Sequence, residues 1–141
     1  MIGLTQALFA FSISKALDLD ERFTVIGALI PGLSLLLIYS GPLQYEGVLL
    51  SMTSALFFSA IVYFLTDKEK SKSTFTGYSC SLLLESLTFS HIPLFYPFQS
   101  FQGLGLFSSF DLVFNFAVIS MSIVLIYFSN SDDSLVGSLK T

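Results

Sequence analysis

Apolar residues in this chain form five long runs, separated by short polar breaks. The runs cover residues 2–17, 23–40, 47–65, 75–91 and 107–128. Because an α-helix rises 1.5 Å per residue, about 20 apolar residues cross a hydrocarbon layer of roughly 30 Å. The pattern therefore predicts an all-α protein, a polytopic membrane helical bundle with about five segments. The first segment is short enough to be re-entrant.

The composition agrees with a membrane protein and excludes several other classes. Hydrophobic residues make up 53% of the chain and charged residues 11%, against about 25% charged in soluble domains. The net charge of −4 provides no basic surface for nucleic acid. Cys80 is the single cysteine, so an intrachain disulfide and a cysteine zinc cluster are both excluded.

The charges also predict domain organisation and orientation. The first run carries no charge before Lys15, unlike a cleavable signal peptide, so we expect a retained helix. If the segments alternate across the bilayer, every Lys and Arg falls on one side: Lys15, Arg22, Lys68, Lys70, Lys72 and Lys140. The positive-inside rule then places the N-terminus outside and the C-terminus inside, in the plasma or inner membrane. Residues 1–130 form one transmembrane domain and residues 131–141 a mobile polar cytoplasmic tail.

Small residues recur at helical spacing inside two of the segments. Ser51, Ala55 and Ser59 follow one another every four residues, and Gly77 and Ser81 do the same. Such stripes allow membrane helices to approach each other closely. They predict a compact bundle and carry no chemistry by themselves.

Glu85 is the most unusual residue of the apolar runs. It lies within the stretch GYSCSLLLESLTFSHIPLFYPF, residues 77–98, where a carboxyl group is costly unless it is partnered or protonated. Three arrangements are open from the residues alone. Glu85 could be neutral and bond to Ser81 one turn earlier, bond to a polar residue of a neighbouring helix, or pair with a partner chain.

The same stretch resembles the fourth-helix motif of the membrane-bound metal-dependent hydrolases, a prokaryotic family also described as YdjM-like. In that family the stretch begins approximately G-Y-x-S-H-L-L-L-D. The segments LTQALFAFSISKAL, GALIPGLSLLL and YEGVLLS are similar to three further motifs, so the resemblance extends over most of the chain. It implies a helical inner-membrane scaffold that carries a metal site.

The motif positions themselves depart from the family. Where the family has histidines and carboxylates, this chain has Gln6, Gly32, Ser34, Tyr45, Leu50 and Ser81, while Glu85 stands at an Asp position. A metal site needs imidazole and carboxylate donors that converge at bonding distance. The resemblance therefore implies a dismantled site, with Glu85 as its residual acid, no catalytic residue, no metal and no cofactor.

We interpret the chain as a non-catalytic integral membrane protein, a pseudoenzyme that serves as a small accessory subunit of a larger membrane complex. Its expected partners are membrane lipids and other integral membrane subunits. Two alternatives are open. One is a hydrolase of lipid-type esters or phosphoesters with a relocated metal site at Glu46, Glu85, His91 and Asp111. The other is a lipid-binding or transporter-like protein that uses Glu85 as a proton site.

Overall fold

The computed structural model describes residues 3–40, 50–88, 91–95, 99–102, 106 and 111–138, with side chains in 3–33, 50–88, 106 and 111–130. Within this part, five helices account for most of the chain, as predicted. They are α1 (Gly3–Ala16), α2 (Glu21–Ser40), α3 (Met52–Leu65), α4 (Lys68–Thr88) and α5 (Leu112–Ser138). Two short strands, β1 (His91–Phe95) and β2 (Gln99–Gln102), pair antiparallel between α4 and α5.

Side-chain caps fix where four of these helices begin. The Oδ1 atom of Asp20 accepts hydrogen bonds from the first turn of α2, and the Oδ1 atom of Asp111 does the same for α5. Ser51 and Asp67 begin α3 and α4 in the same way. Such caps satisfy N–H groups that the helix itself leaves unpaired.

The C-terminus of α1 is closed by a residue of left-handed backbone conformation. Asp18 has a φ of 52°, and the N–H of Leu19 donates to the carbonyl of Ser14 at 2.9 Å. This is the arrangement of a Schellman motif, in which Asp replaces the more usual Gly. It turns the chain directly into α2.

Three predicted boundaries differ from the structure. The charged stretch 66–73 was expected to be a connection, but α4 begins inside it at Lys68 because Asp67 caps the helix. The fourth run was expected to reach residue 91, yet α4 ends at Thr88 and His91 begins β1. Residues 131–138, predicted to belong to a mobile tail, continue α5 as helix.

Neighbouring helices alternate in direction, so that the cations of the described residues lie at one end. Lys15 at the end of α1 pairs with Glu21 at the start of α2. The Nζ atom of Lys70 lies 5.7 Å from the centre of the Phe23 ring, which brings the start of α4 to the same place. The Ser129 hydroxyl of α5 donates to the carbonyl of Lys15 at 3.0 Å. We call this end of the bundle the cationic end.

Helices α2 and α4 cross where a glycine of each helix faces the backbone of the other. A Cβ atom added at Gly77 would lie only 3.0 Å from the Cα of Thr24 and closer still to its carbonyl. Gly27 meets the carbonyl of Thr74 in the same reciprocal way. We call this contact the Gly27–Gly77 crossing. It confirms the predicted close packing at Gly77.

Most buried side chains of the described bundle are polar or small, beside one apolar group that contains Tyr78 and Leu82, whereas many large apolar side chains face outward. Gln6, Ser14, Ser81 and Glu85 are all at most 1% exposed. By contrast Phe64 of α3 is 84% exposed, and α3 and α5 expose many more large apolar side chains, including Leu56, Phe57, Leu65, Leu112, Val113, Phe116 and Tyr127. This distribution is the reverse of the one that water imposes on a folded protein.

One helix of the described residues could cross a membrane by itself, judged by length and composition. It is the part of α5 from Leu112 to Asn130, 19 residues with a mean hydropathy of 2.1. The apolar helix α3 is shorter. At 14 residues it is about 21 Å long.

Candidate functional site

Glu85 lies at the centre of a buried polar cluster at the end of the bundle opposite the cationic end. Its side chain is 0% exposed. The Nε2 atom of Gln6 on α1 donates a hydrogen bond to the Oε1 atom of Glu85. The hydroxyl of Thr88 lies 3.4 Å from Oε2 and also donates to the Glu85 carbonyl at 3.0 Å. Of the arrangements considered for Glu85, the structure adopts the bond to a polar residue of a neighbouring helix.

Gly32 and Ser81 complete this cluster. A Cβ atom at Gly32 of α2 would lie 2.9 Å from the Oε1 atom of Gln6, so the glycine makes room for the amide. Ser81 lies one helical turn before Glu85 on α4, and side chains at that spacing share a face of the helix. Helices α1, α2 and α4 therefore each contribute to one site. We call these residues, with Thr88, the Glu85 cluster.

Two buried oxygen atoms of the Glu85 cluster lack a hydrogen-bond partner within the described residues. They are Oε1 of Gln6 and Oγ of Ser81. Ser81 therefore does not bond to Glu85 as one of the predicted arrangements required. A buried polar atom without a partner costs about 1–3 kcal/mol. Outside the cluster, Oγ of Ser79 also lacks a partner within the described residues.

The residue before Gln6 links α1 to α5. The hydroxyl of Thr5 donates to the Oδ1 atom of Asn115 at 2.9 Å, and the Nδ2 atom of Asn115 donates to the carbonyl of Asp111 at 2.8 Å. Thr5 is 2% exposed and Asn115 3% exposed. Consecutive residues of α1 thus bind two different helices through polar side chains.

The remaining motif positions divide into three groups. Leu50 is 7% exposed and packs in an apolar group with Ala55, Tyr78 and Leu82, outside the Glu85 cluster. Tyr45 and Glu46 lie outside the described residues. Ser34 and His91 belong to α2 and β1, and only their backbones are described.

Asp111 has a structural role that explains its position. Its Oδ1 atom accepts hydrogen bonds from the N–H groups of Val113 and Phe114 at 2.9 and 3.1 Å. The carboxylate therefore complements the N-terminus of α5, as negative groups do at helix starts. Among the described side chains, no three His, Cys, Asp or Glu residues come together as a group that could hold a metal ion.

The Glu85 cluster offers oxygen atoms and one amide nitrogen, with neither a thiol nor an imidazole in its described members. It contains one carboxyl group, one hydroxyl from Ser81, one from Thr88 and the Gln6 amide. Such a set lacks a nucleophile paired with a base, which acyl-transfer chemistry needs. It can exchange hydrogen bonds and provide oxygen ligands.

Comparisons with known proteins found no match to this chain: no protein-family model, no curated protein and no solved structure resembles it closely enough to be significant.

Sequence reasoning identified Glu85, Gln6, Gly32 and Ser81 through the motif positions, but it did not identify Thr88 or the Thr5–Asn115 link. Asn115 could have been found by the criterion that singled out Glu85. It is a strongly polar residue within an apolar run and therefore needs a partner in the bundle interior. Which partner it finds depends on the rotation of α5, which the sequence pattern leaves open.

Proposed function

We propose that this chain is a polytopic membrane protein without catalytic activity, built on the scaffold of the YdjM-like metal-dependent hydrolases, and that it serves as an accessory subunit of a larger membrane complex. The observation that carries the proposal is the Glu85 cluster. Three positions that hold metal ligands in the resembling motifs, Gln6, Gly32 and Glu85, belong to different helices yet lie together, since the Gln6 amide donates to Glu85 and Gly32 faces the Gln6 oxygen. A chance likeness of motifs gives no reason for this convergence.

The burial pattern supports the membrane part of the proposal. A polar interior with an apolar exterior suits a solvent of hydrocarbon, in which polar groups must find partners inside the bundle. The exposed apolar side chains of α3 and α5 would then contact lipid or the helices of other subunits.

The helix directions support the orientation. The described Lys and Arg residues, namely Lys15, Arg22, Lys68, Lys70 and Lys72, belong to the ends of α1, α2 and α4 that meet at the cationic end. The positive-inside rule assigns this end to the cytoplasm and the Glu85 cluster to the outer half of the membrane. The N-terminus would then be outside and the C-terminus inside.

The replaced ligands support the absence of catalysis. Gln6 and Ser81 stand where the family pattern has histidines, and Gly32 has no side chain to donate. A hydrolase with a relocated site would need Asp111, but the carboxylate of Asp111 caps α5. No described contact brings it to Glu85.

Restoring the ligands tests both the family assignment and the loss of function. In the triple variant Gln6→His, Gly32→Asp and Ser81→His, the new donors should converge with Glu85. We expect the purified variant to hold about one zinc or manganese ion per chain, and the unaltered protein to hold none. Adding Glu85→Ala to the triple variant should weaken that binding, because it removes the fourth donor. A folded triple variant that binds no more metal than the unaltered protein would count against the shared scaffold.

The membrane orientation and the partner are tested separately. In sealed membranes, an amine-reactive reagent should modify Lys68, Lys70 and Lys72 only after the cytoplasmic face is opened. Labelling of these residues from outside would reverse the orientation. Gentle affinity purification from native membranes should recover other integral subunits in fixed ratio. Recovery of a single protein with a bound transition metal would instead favour the hydrolase.

A further inference from the structure

We propose that the outer surface formed by the end of α3 and the start of α4 binds an anionic phospholipid, with the lipid phosphate between Lys68 and Lys72. We call these two lysines, with Phe64 and Leu65, the Lys68–Lys72 face. This inference rests on the proposed function, because it takes the cationic end to lie at a membrane surface. It deepens the expectation of membrane lipids as partners, since it names the class of lipid and the side chains that hold it.

The first step of the argument concerns the two lysines. Lys68 and Lys72 lie one turn apart on α4, and side chains at that spacing share a face of the helix. Both side chains are exposed. Among the described residues neither takes part in an ion pair, whereas Lys15 and Lys70 each do. The positive charges of Lys68 and Lys72 are therefore available to a phosphate group from outside the chain.

The second step concerns the apolar surface beside the lysines. Phe64 and Leu65 are both exposed, and Leu65 is the last residue of α3. Lys68 follows after a short connection, and the Ser71 hydroxyl donates to the Ser59 carbonyl at 2.7 Å, which holds this part of α4 against α3. The exposed surface thus changes from apolar to cationic within about one helical turn. A phospholipid has the matching order, because its acyl chains end at a charged headgroup.

The third step concerns the acidic residues that alternate with the lysines. The carboxylate of Asp67 accepts a hydrogen bond from the backbone N–H of Lys70 and pairs with its ammonium group, each at 2.9 Å. Lys70 also lies over the Phe23 ring, so it is directed towards α2 and away from this face. Glu69 is exposed and, within the described residues, pairs with neither lysine of the Lys68–Lys72 face. Two positive charges against one negative charge favour an anionic lipid over a zwitterionic one.

The experiment is native mass spectrometry of the full-length protein, released from nonionic detergent micelles after titration with phosphatidylglycerol or phosphatidylcholine. It resolves the species with one bound lipid and gives a dissociation constant for each lipid. We expect phosphatidylglycerol to bind more tightly than phosphatidylcholine. The double substitution Lys68→Gln and Lys72→Gln should weaken phosphatidylglycerol binding roughly 30-fold, at about fivefold per lysine. Glu69→Gln should act in the opposite direction and tighten it.

The matched control is the double substitution Lys15→Gln and Lys70→Gln, which removes the same charge from the cationic end. Both of these lysines have carboxylate partners within the chain, so their loss should leave phosphatidylglycerol binding nearly unchanged. If the two double variants weaken binding alike, the lipid responds only to the overall charge and the proposed site is refuted. Equal binding of the two lipids by the unaltered protein would refute it as well.

Two further outcomes separate this proposal from its alternatives. Displacement of phosphatidylglycerol by an excess of glycerol 3-phosphate would mean that the headgroup alone binds, and the apolar part of the Lys68–Lys72 face would then have no role. Release of the protein from native membranes by alkaline extraction would overturn the membrane assignment, and the lipid site with it. A loss of the lipid preference alone would leave the membrane assignment intact.

Discussion

Helices α2 and α4 take part in two contacts of different kinds, the Gly27–Gly77 crossing and the Glu85 cluster. At the crossing, α2 and α4 meet because two glycines have no side chains, and Thr24 and Thr74 present backbone to them. At the cluster, α1, α2 and α4 meet through polar side chains that need specific partners. The first contact depends on shape alone, and the second depends on chemistry.

This difference shows where function can be sought in such a bundle. A glycine crossing is explained completely by close packing. In the proposed membrane location, close packing is how helices associate, because lipid removes the hydrophobic drive between them. The Glu85 cluster is not explained by packing, because apolar residues at all of its positions would fill the same volume without leaving polar atoms unpaired. The residues of the Glu85 cluster are therefore the candidates for a functional role, because packing alone does not require them.

The largest effect is expected at the crossing. Gly77→Ala places a methyl group against the backbone of Thr24, which cannot rotate away as a side chain could. We expect a loss of about 3 kcal/mol or more in the free energy of unfolding, at the upper end for overpacked sites. Reversible unfolding in mixed micelles would measure it.

Gly3→Ala is the control, since the nearest atom to its added Cβ is Cδ2 of Leu29 at 3.9 Å. That distance is an ordinary van der Waals contact, so the variant should retain its stability. Equal effects of the two substitutions would mean that α2 and α4 do not cross at Gly77.

A smaller effect is expected at the Glu85 cluster. Glu85→Leu removes the acceptor of the Gln6 amide and should cost roughly 0.6–2 kcal/mol, the range measured for hydrogen bonds between membrane helices. Glu85→Gln keeps an oxygen for that amide and removes the charge. It should therefore be at least as stable as the unaltered protein. If Glu85→Gln were as damaging as Glu85→Leu, the charge of Glu85 itself would be required for stability, and its role would not be limited to the hydrogen bond with Gln6.

The crossing was more predictable from the sequence than the cluster was. Gly77 and Ser81 are four residues apart, which is the spacing of small residues at close helix contacts. The five helices were predictable because long apolar runs are visible in the sequence. Gln6 lies 79 residues from Glu85, and no local pattern specifies how α1 is rotated against α4. The charged residues of the stretch 66–73 favour a connection between helices over a helix. Asp67 is nevertheless a good N-cap, and α4 begins at Lys68. The hairpin of β1 and β2 lies almost entirely in the break between the fourth and fifth apolar runs, for which no strand was predicted.

The Thr5–Asn115 link extends the comparison to α5. Like the Glu85 cluster, it joins helices through a hydrogen bond between specific polar side chains. Thr5→Val and Asn115→Ala each remove one side of a buried hydrogen bond. A double-mutant cycle should give a coupling of about 0.6 kcal/mol, the average for such bonds in membranes. Ser122→Ala is the control, because its hydroxyl donates to the Val118 carbonyl of the same helix. Coupling between Thr5 and Ser122 as large as that between Thr5 and Asn115 would contradict the link.

The smallest effect is expected at the cationic end, where charges are exposed to water. The backbone N–H of Lys70, followed by its ammonium group, lowers the pKa of Asp67 below its ordinary value of 3.8. A carboxylate with a lowered pKa stabilises the folded state above its unfolded pKa, and that contribution is lost as the pH falls through its folded pKa. We therefore expect a slight loss of stability below about pH 4.

Asp67→Asn separates the charge from the cap, because asparagine caps a helix about as well as aspartate does. The variant should lose the part of its stability that depends on pH below about 4, while α4 still begins at Lys68. High salt should diminish the same contribution in the unaltered protein, since exposed pairs are screened. The Glu85 cluster is shielded from water, so high salt should change its contribution to stability less than that of the Asp67–Lys70 pair. A cluster that responded to salt as strongly as the Asp67–Lys70 pair would have to be open to water, which would remove the contrast between the two ends of the bundle.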